Sequence, residues 1–137
     1  MARTIIQLIK ACAQRLRGSK LARLGGKEIS EDLDKLVSKL ALKNREEAIV
    51  FIAVFENSCM GRSADLDDMS RYFDCTVLDM MEYTPALRSL MQRGLIALWD
   101  TGECNIVSQN FTVPSPVMNS ILDNRMPSYE KSEDVKG

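Results

Sequence analysis

Eight consecutive apolar residues, Ala48-Ile49-Val50-Phe51-Ile52-Ala53-Val54-Phe55, constrain this chain more than any other feature. The run is apolar on almost every side, so periodicity alone allows a strand as well as a helix. What precedes it decides. Asn44 is an N-cap residue, and Glu46 and Glu47 place acids in the first turn, where the helix dipole favours them. Glu47 stands three residues after Asn44, close to a capping box, although a true box has Ser or Thr at the cap. With its length to Glu56, the segment reads as a helix buried at the centre of a domain. Such a helix is stable only when other elements wrap it.

The 137 residues suffice for one ordinary domain with a core. Ahead of the central run, Thr4 to Arg17 carries Ile5, Leu8, Ile9, Cys12 and Leu16 on one helical stripe. Gly18-Ser19 interrupts it, and Gly25-Gly26 ends the segment. A second helix starts at Ser30, with Ile29, Leu33, Leu36, Val37 and Leu40 on its apolar face, and ends near Leu42-Lys43. Beyond the central run, Ser63 caps a short helix from Ala64 to Phe73 with Leu66, Met69 and Phe73 inward. Asp74-Cys75 turns the chain, and Thr76 caps a further helix that faces Leu78 and Met81 to the core and leaves Val77, Met80 and Tyr83 exposed. Pro85 either kinks that helix or opens a new one capped by Thr84, and Gly94 stops it.

Leu95 to Trp99 then reads as a strand, Asp100 to Glu103 as a turn and Cys104 to Val107 as the returning strand. Asn110 to Val113 is extended. Pro114 and Pro116 introduce a last helix to about Asn124, with Val117, Ile121 and Leu122 inward. Residues 125–137 read as a disordered, linker-like tail.

Charge is divided unevenly. Residues 1–27 hold seven bases (Arg3, Lys10, Arg15, Arg17, Lys20, Arg23 and Lys27) and no acid, whereas the rest holds eleven bases and nineteen acids. The first segment is therefore set apart as a basic helical arm, 1–27, in front of a body, 28–124. No apolar run reaches the roughly 18 residues of a membrane helix. Gln7, Lys10 and Gln14 interrupt the first apolar stretch, and no small-residue cleavage site follows. The expected location is the cytoplasm, away from any membrane.

Several chemistries are disfavoured. The chain has no histidine, the commonest general base, which removes every Ser-His and Cys-His arrangement. Cys12, Cys59, Cys75 and Cys104 are scattered and read as free thiols rather than as a zinc site. The acids Asp67-Asp68 open a helix, where the dipole alone accounts for them. Gly25-Gly26-Lys27 resembles a phosphate loop only in part: position 21 is Leu where a glycine is required, and Glu28 replaces the magnesium-binding Ser or Thr. No catalytic residue, cofactor or metal ligand is expected.

The segment 64–93 has the order short helix, tight turn, longer helix, and Leu90-Met91-Gln92-Arg93-Gly94-Leu95-Ile96 runs it into a strand. The expected fold is mainly α: a winged helix-turn-helix with a small β-hairpin wing and extra N-terminal helices. A base-reading helix presents Arg, Lys, Asn or Gln to base edges. Here Asp79 and Glu82 open the helix, and the wing tip is acidic. Val77, Met80 and Tyr83 are therefore the expected protein contacts, and a charge at Met80 is expected to abolish partner binding without unfolding the domain. DNA binding, in an accessory domain or a stand-alone transcriptional regulator, is the alternative. It would draw on Lys10, Arg15, Arg17, Lys20, Arg23, Arg88 and Arg93 for phosphates. An oligomer, if formed, would use the N-terminal helix.

The phrase Leu66-Asp67-Asp68-Met69-Ser70-Arg71-Tyr72-Phe73-Asp74-Cys75, followed by Met81-Glu82-Tyr83, Arg93-Gly94-Leu95-Ile96 and Phe111-Thr112-Val113-Pro114, resembles the region that precedes the motor in a group of bacterial AAA-type ATPases. The resemblance covers roughly residues 30–124. It implies a winged-helix-like accessory domain that docks a protein partner or regulates the adjoining ATPase. The chain reaches Gly137 before any Walker motif, as a fragment cut at a domain boundary would, so no ATP-binding residue carries over.

Overall fold

The apolar run folds as a helix in the computed structural model, which describes residues 4–17, 27–98 and 109–126, and of 27–30 the backbone alone. The helix spans Arg45–Cys59 and is labelled α3 in chain order. Asn44 caps it in extended conformation, its side-chain oxygen accepting the Glu47 N–H at 3.0 Å. Every residue from Glu47 to Phe55 is buried. Helices α1 (Ile5–Leu16), α2 (Lys27–Leu40), α4 (Leu66–Phe73) and α6 (Thr84–Gln92) pack against it, as does the short strand β2 (Phe111–Thr112). Burial of each large side chain here contributes about 1.5–3 kcal/mol, so α3 is held by its surroundings rather than by helix propensity.

Two further helices, α5 (Val77–Met81) and α7 (Ser115–Leu122), and one strand, β1 (Ala97–Leu98), complete the described elements. The chain is thus mainly helical with a small antiparallel sheet. Ala97 pairs with Thr112 and Leu98 with Phe111. Phe111 also bridges Ala64, with N–H···O bonds of 2.8 and 2.9 Å in the two directions. β2 therefore lies between β1 and Ala64, two residues before α4. Ser58 fastens the end of α3 to the same strand by accepting the Val113 N–H at 2.9 Å. The predicted returning strand Cys104–Val107 and the turn before it lie outside the described residues.

Helix α1 follows its predicted stripe: Ile5, Leu8, Ile9, Cys12 and Leu16 are buried. Thr4 and Gln7 form a reciprocal capping box at its start, and the Asn124 side chain accepts the Ile5 N–H at 2.9 Å. α1 packs on α2, α3 and α7 and shares their core.

Three expectations need correction. α2 begins at Lys27, not Ser30, which carries Asp32 beyond the first turn. Asp32 is instead buried, with Arg15 3.9 Å away. α4 begins after Asp65 rather than Ser63, because Ala64 is drawn into the bridge with Phe111. Asp65 and Asp68 then cap each other's backbone N–H groups at 2.8 and 3.1 Å. Leu122 is exposed, since Val117 and Ile121 already fill the inward face of α7.

Five residues in left-handed conformation close five helices: Ala41 after α2, Gly61 after α3, Asp74 after α4, Gly94 after α6 and Asn124 after α7. In each case the next N–H reaches back to the carbonyl five residues earlier, from Leu42 to Val37 at 2.8 Å and from Leu95 to Leu90 at 3.0 Å, for example. That is the bonding of a Schellman cap, which satisfies the last carbonyls of a helix.

Candidate functional site

The surface built by α5 and the start of α6 is the place where sequence and structure differ most usefully. Thr76 starts α5 with a capping box: its hydroxyl accepts the Asp79 N–H at 3.1 Å, and the Asp79 carboxylate accepts the Thr76 N–H at 3.0 Å. Pro85 then splits the predicted long helix in two. Its nitrogen carries no hydrogen for the Met81 carbonyl four residues back. The Thr84 hydroxyl donates to that carbonyl instead, at 3.0 Å. Tyr83 is the N-cap of α6, not Thr84.

This short α5 is phased differently from the expectation. Met80 is fully buried, so it is not a surface contact. Val77 and Tyr83 are half-buried and pack on the core. Leu78 and Met81, expected inward, are 74% and 40% exposed. Residues 77, 78, 80 and 81 are all apolar, and α5 makes less than two turns, so the pattern of residues cannot fix which pair faces in. The exposed pair has acidic neighbours, with Asp74, Asp79 and Glu82 all at the surface.

Beside this patch lies a cleft of about 450 Å³ between the first turn of α3 and the α5–α6 junction. Glu46, Glu47, Glu82, Tyr83, Ala86 and Ser89 line it, with Lys43 at one side. Glu47 is buried and is neutralised by Arg93, whose Nη1 lies 3.3 Å from its carboxylate. The Ser89 hydroxyl is buried and has no hydrogen-bond partner among the described residues. Burial, reinforced by the charges of Glu46, Cys75, Glu82 and Asp79, holds the Tyr83 hydroxyl above the usual phenol range.

The bases proposed for phosphate contact do not form one free basic surface. Arg93 binds Glu47, and its second Nη donates to the Ala41 carbonyl. Arg17 donates to Glu56 at 2.7 Å, and Arg15 lies 3.9 Å from Asp32. Lys10 and Arg88 are exposed on α1 and α6, helices that share no substantial packing. Lys20 and Arg23 lie outside the described residues. Ion pairing in space, which a count of charges does not reveal, accounts for the difference.

A second concave region runs between α1 and the end of α3, about 320 Å³ in volume, walled by Ile6, Ile9, Ala13 and Phe55. At its end the Tyr72 hydroxyl donates to Glu56 at 2.7 Å, and Arg17 stands 5.9 Å from the centre of the Tyr72 ring. Asp65, Asp67 and Asp68 bring carboxylate oxygens within 4.8 Å of one another. Asp65 and Asp68 serve as caps there, and Arg71 binds Asp67 and Asp68 at 2.7 and 3.1 Å.

Glu46 and Glu82 are the surface carboxylates that residue pattern alone did not bring together. The fold joins them because α6 packs on α3. No helix among the described residues is long and apolar enough to cross a membrane. Comparison of the chain with family models, with curated proteins and with solved structures finds no match.

Proposed function

We propose that this chain is a non-catalytic winged-helix accessory domain that docks a protein partner. That partner is the ATP-driven motor of the AAA-type ATPases whose leading region the chain resembles, or a protein such a motor acts on. Support for the winged-helix reading comes from the order α3, Ala64 bridge, α4, tight turn, α5–α6, β1, β2, in which Phe111 joins both β1 and Ala64. α5, where a base-reading helix would begin, carries the observation on which the function rests: Leu78 and Met81 stand exposed among Asp74, Asp79 and Glu82. Exposed apolar groups ringed by polar ones suit a protein interface. Carboxylates there repel a phosphate-lined groove.

A photo-crosslinking amino acid placed at position 78 is expected to join the chain to a partner protein. The same group at Leu122, an exposed apolar residue on α7, serves as the control and is expected to join none. A salt-sensitive shift of duplex DNA, abolished by R88A, would overturn the reading in favour of nucleic acid.

A further inference from the structure

We propose that the cleft between α3 and the α5–α6 junction receives one basic side chain of the docked partner, an arginine or lysine flanked by apolar residues. The proposal rests on the docking reading and gives the partner its chemistry. Three features point to a cationic guest. Glu46 from α3 and Glu82 from the α5–α6 link put carboxylates on two walls, and neither holds an ion pair among the described residues. Tyr83 lines the same space, half-buried, and the face of an aromatic ring attracts a cation. Ser89 also lines it, and its hydroxyl is buried with no partner among the described residues, so that rotation of the side chain would turn this acceptor toward a guanidinium or ammonium group.

Charge accounting favours the same guest. Glu47 is spoken for by Arg93, so it neither attracts nor repels strongly. Lys43 offsets one of the remaining carboxylates, and Asp79 adds to the negative field felt at Tyr83. A volume of about 450 Å³ exceeds what a guanidinium and its stem occupy. The exposed Leu78 and Met81 on α5 supply a landing for the apolar residues on either side of the base. A partner segment that alternates basic and apolar residues satisfies both halves of this surface.

The test uses the full 137-residue chain, labelled for amide NMR, and two short probes. One is acetyl-Leu-Arg-Leu-amide. The other carries citrulline in place of arginine, which keeps the shape and removes the charge. Saturable shifts centred on Glu46, Tyr83, Ala86 and Ser89 are expected with the arginine probe and not with the citrulline probe. An E46Q/E82Q double variant, checked for unchanged spectral dispersion, should weaken the arginine probe by roughly tenfold. Equal response to both probes, shifts scattered over acidic surface that survive the double substitution, or no saturable shift would each overturn the proposal. The crosslink at position 78 reads docking independently. Docking without arginine recognition sinks the cleft alone, whereas arginine recognition without any docked protein retains the cleft and sinks the docking reading.

Discussion

Arg93, at the end of α6, reaches 46 residues back along the chain to the buried carboxylate of Glu47. The same carboxylate oxygen accepts the Lys43 N–H at 3.1 Å, and Arg93 also donates to the Ala41 carbonyl at the end of α2. One side chain thus joins three helices around a carboxylate that water does not reach. Removing it leaves that charge unpaired. R93M should destabilise the domain by about 2–4 kcal/mol, below the full cost of opening a buried pair because the Arg93 side chain is 22% exposed. An E47M/R93M double variant should recover much of the loss. Urea denaturation checks both, and a single variant as stable as the parent would show that the pair contributes nothing.

The left-handed helix ends give a cleaner test, because the two glycines among them have open space around them. A Cβ built on Gly94 would meet nothing within 4 Å, so only its φ of +78° opposes substitution. G94A should cost about 1–2 kcal/mol. Ala41 adopts φ of +56° without being glycine, and A41G should stabilise by about 0.5–1 kcal/mol once the extra freedom of the unfolded chain is subtracted. Opposite signs at two similar caps are the expected thermal-melt result. Equal signs would mean that the cap geometry is not what matters.

Tyr72 should reveal itself at high pH. Burial first, then its bond to Glu56, pushes its hydroxyl well above the ordinary phenol range, while Arg17 pulls weakly the other way. The folded chain therefore holds a proton that the unfolded chain releases from about pH 10 upward, so stability falls as pH rises through that region. Y72F should be less stable by about 1.5 kcal/mol near neutrality, from the lost hydrogen bond to a charged acceptor. The gap between the two proteins should hold up to about pH 10 and narrow as the pH rises beyond it. A constant gap would show that Tyr72 ionises normally.

Long or strongly capped elements were legible in the residues alone, and short ones were not. Asn44 and the run it precedes identified α3, and the stripes of α1 and α4 named their buried residues correctly. The start of α4 was missed because Ser63 and Asp65 are both good caps, and only the pairing of Ala64 with Phe111 decides between them. The described partner of β1 is Phe111–Thr112, a segment read simply as extended. Two apolar stretches follow the turn, and spacing does not rank them. At the candidate site the composition of α5 was legible, acidic and apolar, but its orientation was not. Charge pairing was hidden altogether: Arg17 with Glu56 and Arg93 with Glu47 are contacts across helices.

The phase of α5 supplies the sharpest test, because two neighbouring apolar residues exchange their expected roles. Met80 is fully buried and Leu78 is 74% exposed. A charge at Met80 must be taken out of water with no partner, so M80D should unfold the domain or cost more than about 4 kcal/mol. L78D places its charge in solvent and should change stability by less than about 0.5 kcal/mol. It should nonetheless abolish the crosslinked partner read from a probe at Met81, since it puts a carboxylate in the middle of the apolar landing. Circular dichroism separates folding from docking in both variants. A folded M80D alongside an unfolded L78D would reverse the phase assigned to α5 and remove the patch on which docking depends.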